Sequence, residues 1–234
     1  MLDSVAAQMV VLILNRLKYG DAMPQNISAL KPVLEGQPVI PVVVIEDVAH
    51  AVGMAKALVA GGLPAIEVTL RTSAALEAIR RIAGEVEGAI IGAGTILDPQ
   101  TFEQAVTAGA RYIVSPGLTR DLIAVANDHA VPLLPGAVTP SEMMEARAAG
   151  YTYLKFFPAE QAGGANYVNA VSSPLKGLMF CPTGGITADS AASYLKLPNV
   201  VCVGGSWITP KALMAEGRFA EIEALARAAS MIKG

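Results

Sequence analysis

Lys155 stands in "YTYLKFFPAEQAGG" (151–164), between Leu154 and the pair Phe156–Phe157 and shortly before Pro158. A lysine ordinarily keeps its charge in water and lays its stem along apolar neighbours. An amine held in apolar surroundings favours its neutral form, because desolvation penalises the charged one. A neutral lysine attacks carbonyl carbon to give a Schiff base, whose iminium is an electron sink for making or breaking an adjacent C–C bond. That chemistry needs a proton carrier and an anchor for the substrate. "AIEVTLR" (65–71) offers Glu67 for the proton and Arg71 for a two-pronged grip on a carboxylate. Thr95, at the end of "GAGT" (92–95), is either a hydroxyl donor or a strand-end hydroxyl that satisfies backbone.

Stretches far apart in the chain must converge for these groups to act together. Eight short apolar runs recur at 38–45, 63–70, 89–95, 111–117, 131–137, 152–158, 178–185 and 200–206. Each is followed by a helical segment opening near Asp, Ser or Thr, or by a Gly-rich turn; "TSAALEAIRRIAG" (72–84) reads as a helix capped by Thr72. The runs are continuous rather than alternating, as expected of parallel strands covered on both faces. The α/β pattern predicts a (β/α)8 TIM barrel. An open doubly wound sheet is the alternative, and the lack of G-x-G-x-x-G after the first run counts against it.

In a barrel the site lies at the C-terminal ends of the strands. Side chains alternate across a strand, so Glu67, Thr69 and Arg71 share a face. Layers inside a barrel come from alternate strands, so strands two and six can bring Glu67 and Lys155 together across the lumen. Such a pair could also serve the fold alone, although buried ion pairs are often no more stabilising than apolar substitutes. "TGGIT" (183–187) and "VGGSW" (203–207) follow strands seven and eight, where this fold commonly holds phosphate. Plain tight turns are the other reading of both.

Composition narrows the classes. Of 234 residues, 53% are hydrophobic and 16% charged, enough apolar content for one large core. A net charge of −3 gives no basic field for nucleic acid. Cys181 and Cys202 form no disulfide framework and read as small buried residues of a reduced, cytoplasmic protein. His50 and His129 fall in no cluster with metal-ligand spacing, so neither metal nor cofactor is expected. "MVVLILN" (9–15) is too short to span a bilayer, and no membrane association is expected. Residues 4–18 read as a helix, and 1–28 as a helical extension ahead of a barrel over 29–234.

Two segments, "GLPAIEVTLR" (62–71) and "GYTYLKFFPAEQAG" (150–163), resemble the signatures of the KDPG/KHG aldolases. "GAGTILDPQ", "SPGLT", "PLLPGAVTPSE", "FCPTGGIT" and "GGSW" fit the same family in order, from about Ala29 to the C-terminus. The resemblance implies a class I aldolase that works without metal or cofactor. Its substrate is a 2-keto acid sugar phosphate, 2-keto-3-deoxy-6-phosphogluconate, cleaved to pyruvate and glyceraldehyde 3-phosphate. 4-Hydroxy-2-oxoglutarate is the second substrate the family admits. By resemblance Lys155 forms the Schiff base and Glu67 transfers protons. Arg71 and Thr95 surround the pyruvyl part, Pro116, Phe157 and Thr183 line the site, and Gly184, Gly185, Gly205 and Ser206 meet the phosphate. "LRT" (70–72) is more similar to the phosphogluconate branch than to phosphogalactonate relatives, which tend to carry Asn at the position of Arg71. The family is typically a homotrimer, and its pattern usually starts near Met23. The competing readings are a phosphate-binding barrel isomerase or epimerase with Lys155 as a charge stabiliser, and a non-catalytic oligomeric binding protein.

Overall fold

The computed structural model describes residues 25–234; the helix expected over 4–18 and the start near Met23 lie outside the described residues. All eight expected strands form: β1 (Val39–Val43), β2 (Ala65–Thr69), β3 (Ile90–Gly94), β4 (Tyr112–Val114), β5 (Leu133–Leu134), β6 (Tyr153–Phe156), β7 (Met179–Pro182) and β8 (Val203–Gly205). Between and around them lie α1 (Ile27–Glu35), α2 (Ala51–Ala60), α3 (Ala75–Glu85), α4 (Pro99–Thr107), α5 (Arg120–Asn127), α6 (Pro140–Ala148), α7 (Gly164–Ser172), α8 (Ala188–Leu195), α9 (Lys211–Ala215) and α10 (Phe219–Ser230).

Several helix starts follow the cap signals in the sequence. Asp98, Thr119, Thr139 and Thr187 each accept a backbone N–H in the first turn of α4, α5, α6 and α8. Thr72 does not cap α3. That helix starts at Ala75 without a side-chain cap, and the Thr72 hydroxyl donates to the Ile45 carbonyl after β1, at 2.5 Å.

β1 and β2 are buried along their whole length, which accounts for their continuous apolar runs. The strands pair in parallel in the order β8–β1–β2–β3–β4–β5, with β6–β7 as a second pair. This is an α/β fold whose parallel sheet forms a half-barrel. Isolated bridges link the two sheets: Gly136 with Lys155 at one side, Phe180 with Val200 and Thr183 with Gly204 at the other. The backbone bonds Lys155 N–H to Pro135 O (2.8 Å) and Ala137 N–H to Lys155 O (3.0 Å) hold β6 beside β5.

One core cluster lies between strands and helices, the other on the inner faces of the strands. Leu30, Val33 and Leu34 of α1 belong to the inner cluster, so α1 covers the N-terminal ends of the strands. The boundary drawn at 28/29 therefore falls inside a helix that is part of the core. Removing a buried leucine side chain such as that of Leu30 would cost about 2–5 kcal/mol.

Two glutamines beside α1 tie strand starts together. The Gln25 amide donates to the carbonyls of Leu133 (2.8 Å) and Tyr153 (3.0 Å) and accepts from Tyr153 N–H (3.0 Å), joining β5 to β6. Gln37 does the same for β1 and β2, donating to Val39 O and Ala65 O and accepting from Ala65 N–H. Both are buried, and each satisfies backbone groups that would otherwise be left without partners.

Candidate active site

Lys155 and Glu67 meet as strand alternation predicts. The Lys155 Nζ lies 3.0 Å from Glu67 Oε1 and 3.4 Å from Oε2. Both residues are buried, at 6% and 4% exposure. They come from β6 and β2, non-adjacent strands joined only across the interior. Gly94, on β3 beside β2, makes the contact possible: a Cβ there would overlap the Glu67 carboxylate. The acid thus lies across a strand position that holds no side chain.

Of the two phenylalanines after Lys155, one faces the amine. Phe156 alternates outward, stacked on Tyr167 of α7 at 5.5 Å and edge-on to Phe180. Phe157 turns the other way, its ring centroid 5.5 Å from the Lys155 Nζ. A ring face at that distance attracts a cation and excludes water from one side of the amine.

Phe157 also borders a cavity of about 800 Å³, lined with it by Arg71, Thr183, Gly184, Gly185 and Ser206, among others, but not by Lys155 or Glu67. Arg71 reaches it from the turn after β2 rather than from the strand itself. Among the described residues no carboxylate pairs with its guanidinium. Thr183 is buried at the end of β7. Gly184 and Gly185 follow with φ of 105° and 77°, a conformation that side chains oppose. The carbonyls of Thr183 and Gly184 accept from Ala159 and Glu160 N–H (2.8 and 3.1 Å). Among the described residues no hydrogen bond takes up the N–H of Gly184 or Gly185, which leaves these donors beside the cavity.

Thr95 lies past the end of β3, half-buried, with φ at 63°. A β-branched residue in the left-handed region is strained, and such strain concentrates at functional positions. Pro116 lines a neighbouring hollow of about 610 Å³ that shares Phe157 with the main cavity. Gly205 is buried and packs beneath the Trp207 ring, whereas Gly204 lines the cavity.

Sequence reasoning missed one wall. Val42, Val44, Glu46, Asp47 and His50, from β1 and the turn after it, complete the cavity with Thr209, Pro210 and Lys211. Glu46 and Asp47 directly follow the first apolar run, so a census of polar residues at every strand end would have included them.

A buried amine against a carboxylate, a free guanidinium and a turn of open N–H donors suit a carbonyl substrate carrying anionic groups. Known proteins are similar to this chain. Residues 30–225 match the family model described as KDPG and KHG aldolase. The 2-dehydro-3-deoxy-phosphogluconate aldolase of Dickeya dadantii is 47% identical over 202 residues, covering 86% of this chain and 95% of that one. The KHG/KDPG aldolase of Escherichia coli K12 is 46% identical over the same shares. Among solved structures, the KDPG aldolase of Legionella pneumophila, with pyruvate captured as a covalent carbinolamine, superposes with a TM-score of 0.83 at 43% identity. That match covers 85% of this chain and 96% of that one. The Zymomonas mobilis ZM4 enzyme with 3-phosphoglycerate gives 0.82 at 48% identity, over 87% and 96%. This chain belongs to the KDPG and KHG aldolase family.

Proposed function

We propose that this chain is a class I aldolase that cleaves 2-keto-3-deoxy-6-phosphogluconate to pyruvate and glyceraldehyde 3-phosphate on Lys155. The observation that carries the proposal is the buried contact of 3.0 Å between Lys155 and Glu67, with Phe157 both facing the amine and lining a cavity with anion donors. Passing one proton from amine to carboxylate across that contact frees the nucleophile. The amine adds to the C2 carbonyl. Glu67 protonates the departing hydroxyl, and loss of water leaves the iminium. Glu67 then takes the proton of the C4 hydroxyl as the C3–C4 bond breaks. The bond's electron pair passes into the iminium, giving an enamine, and the aldehyde leaves. Glu67 returns its proton to C3, and water hydrolyses the resulting iminium to pyruvate and free amine.

Arg71 and Thr95 hold the substrate carboxylate, while Phe157, Thr183 and Pro116 shape the pyruvyl pocket. Gly184, Gly185 and Ser206 form the phosphate end, with Gly204 rather than Gly205 beside them, and backbone N–H groups there suit an anion. 4-Hydroxy-2-oxoglutarate fits the same pyruvyl half without using the phosphate end. The bridges between the two sheets support a closed (β/α)8 barrel. Family resemblance supports a homotrimer working in the cytoplasm. Among the described residues no helix is long and apolar enough to cross a membrane.

The test is kcat/KM on both substrates for the wild type and for Ser206→Ala. The variant should lose several-fold on the phosphorylated substrate and remain near wild type on 4-hydroxy-2-oxoglutarate. Equal loss on both would remove Ser206 from the phosphate end.

A further inference from the structure

Two buried side-chain atoms lack a hydrogen-bond partner among the described residues: Asn199 Oδ1, on the outer side beside α7, and Tyr112 Oη. The second lies inside the strands. Tyr112 of β4 pairs in register with Gly92 of β3, and Gly92 pairs with Glu67 of β2. Gly92 has no side chain in this row. A Cβ there would overlap the tip of the Tyr112 ring, so the ring lies over β3 with its hydroxyl directed toward β2. Burial, and after it the nearby Glu67 charge, pushes the Tyr112 hydroxyl well above its ordinary pKa, so it stays a proton donor. A hydroxyl so placed, with no partner, would be destabilising. Buried polar groups of this kind are ordinarily satisfied by a water that two or more polar groups hold. The Glu67 carboxylate is the strongest acceptor in the row.

We infer that Tyr112 is a positioning residue for Glu67, its hydroxyl anchoring the carboxylate from the side away from the substrate through one buried water. The inference rests on the reading of Glu67 as the proton carrier. Held from below as well as by Lys155, the carboxylate cannot swing away once the amine has become an iminium and the ion pair is gone. Proton return at C3 happens in that state, when the anchor matters most.

Three measurements decide it. Exchange of pyruvate methyl protons with D2O reports proton transfer by Glu67 on the bound iminium. Tyr112→Phe, which keeps the ring and its packing, should slow exchange by about fivefold, the effect of one modest hydrogen bond. Borohydride trapping of pyruvate should stay at the wild-type level. Its Tm should stay level or fall by about 2–4 °C, because an anchored hydroxyl has been removed. Exchange within twofold of wild type, or a rise in Tm as expected on removing an orphaned hydroxyl, overturns the assignment. If the variant does not fold, a high-resolution crystal structure of the wild-type protein decides. An ordered water within hydrogen-bond distance of both Tyr112 Oη and Glu67 supports it, and a dry gap overturns it. Glu67→Gln in the same exchange assay separates the two levels: exchange at the wild-type rate there removes the role of Glu67 itself.

Discussion

Glu67 of β2 and Lys155 of β6 form a buried ion pair, 88 residues apart in sequence and 3.0 Å apart in space. The two strands are not neighbours, so their register ladders do not create this contact. It arises from inner-face alternation on both strands and from the space left by Gly94. Most of the function assigned to this chain depends on that single relationship, and its energetics can be measured apart from catalysis.

Replacing Lys155 with Met leaves the Glu67 carboxylate buried without its partner. Breaking a buried pair from one side costs about 3–5 kcal/mol. The double variant Lys155→Met/Glu67→Gln should recover a large part of that loss, because no lone charge remains. Urea unfolding of the two variants tests this. A double variant as unstable as the single one would mean that packing, not charge, dominates the site.

Gly94→Ala places a methyl group where the Glu67 carboxylate lies. The acid must then move, while Lys155 keeps its place on β6. Cleavage should fall by at least about tenfold, the scale on which positioned acid–base groups act, while pyruvate still forms a trappable adduct. A Gly94→Ala enzyme with unchanged kcat would show that Glu67 has room to work from another position.

The same physics operates at the rim, with smaller consequences. Glu142 closes the capping box of α6, accepting from Thr139 and Val138 N–H at 2.8 and 2.9 Å. Those bonds, Thr139's first, hold its carboxyl below the usual carboxylate pKa. A depressed folded-state value contributes stability above the unfolded value and loses it as pH falls through the folded one. Glu142→Gln should therefore be less stable than wild type at neutral pH, by no more than about 1 kcal/mol at this exposed position. The gap should close as the solution is acidified below the carboxylate range. Thermal unfolding of both proteins across that range checks the sign; a gap that widens toward acid would contradict it.

The meeting of Glu67 with Lys155 was legible in the sequence, because strand alternation is a local rule with a long reach. Knowing that β2 and β6 are strands is enough to turn Glu67 and Lys155 inward. The same rule separates Phe156 from Phe157, which reading the pair as one apolar flank would miss. Gln25 and Gln37 were not legible as pegs, since a side-chain amide bonding two strands at once leaves no periodic trace. Thr72 looked like a helix cap because the residue type suits one, yet a carbonyl after β1 competed for its hydroxyl. The wall built from Glu46, Asp47 and His50 depends on how the turn after β1 folds over the strand ends, which residue type alone does not settle.

The central claim is that the Lys155 amine bonds covalently to the substrate's keto carbon. The most direct measurement is to incubate the protein with pyruvate, reduce with borohydride, and locate the mass increase by peptide mapping. A reduced pyruvyl adduct on Lys155, lost in Lys155→Ala, is the expected result. Absence of any adduct from an enzyme that still cleaves its substrate, or an adduct on a different lysine, would contradict the account.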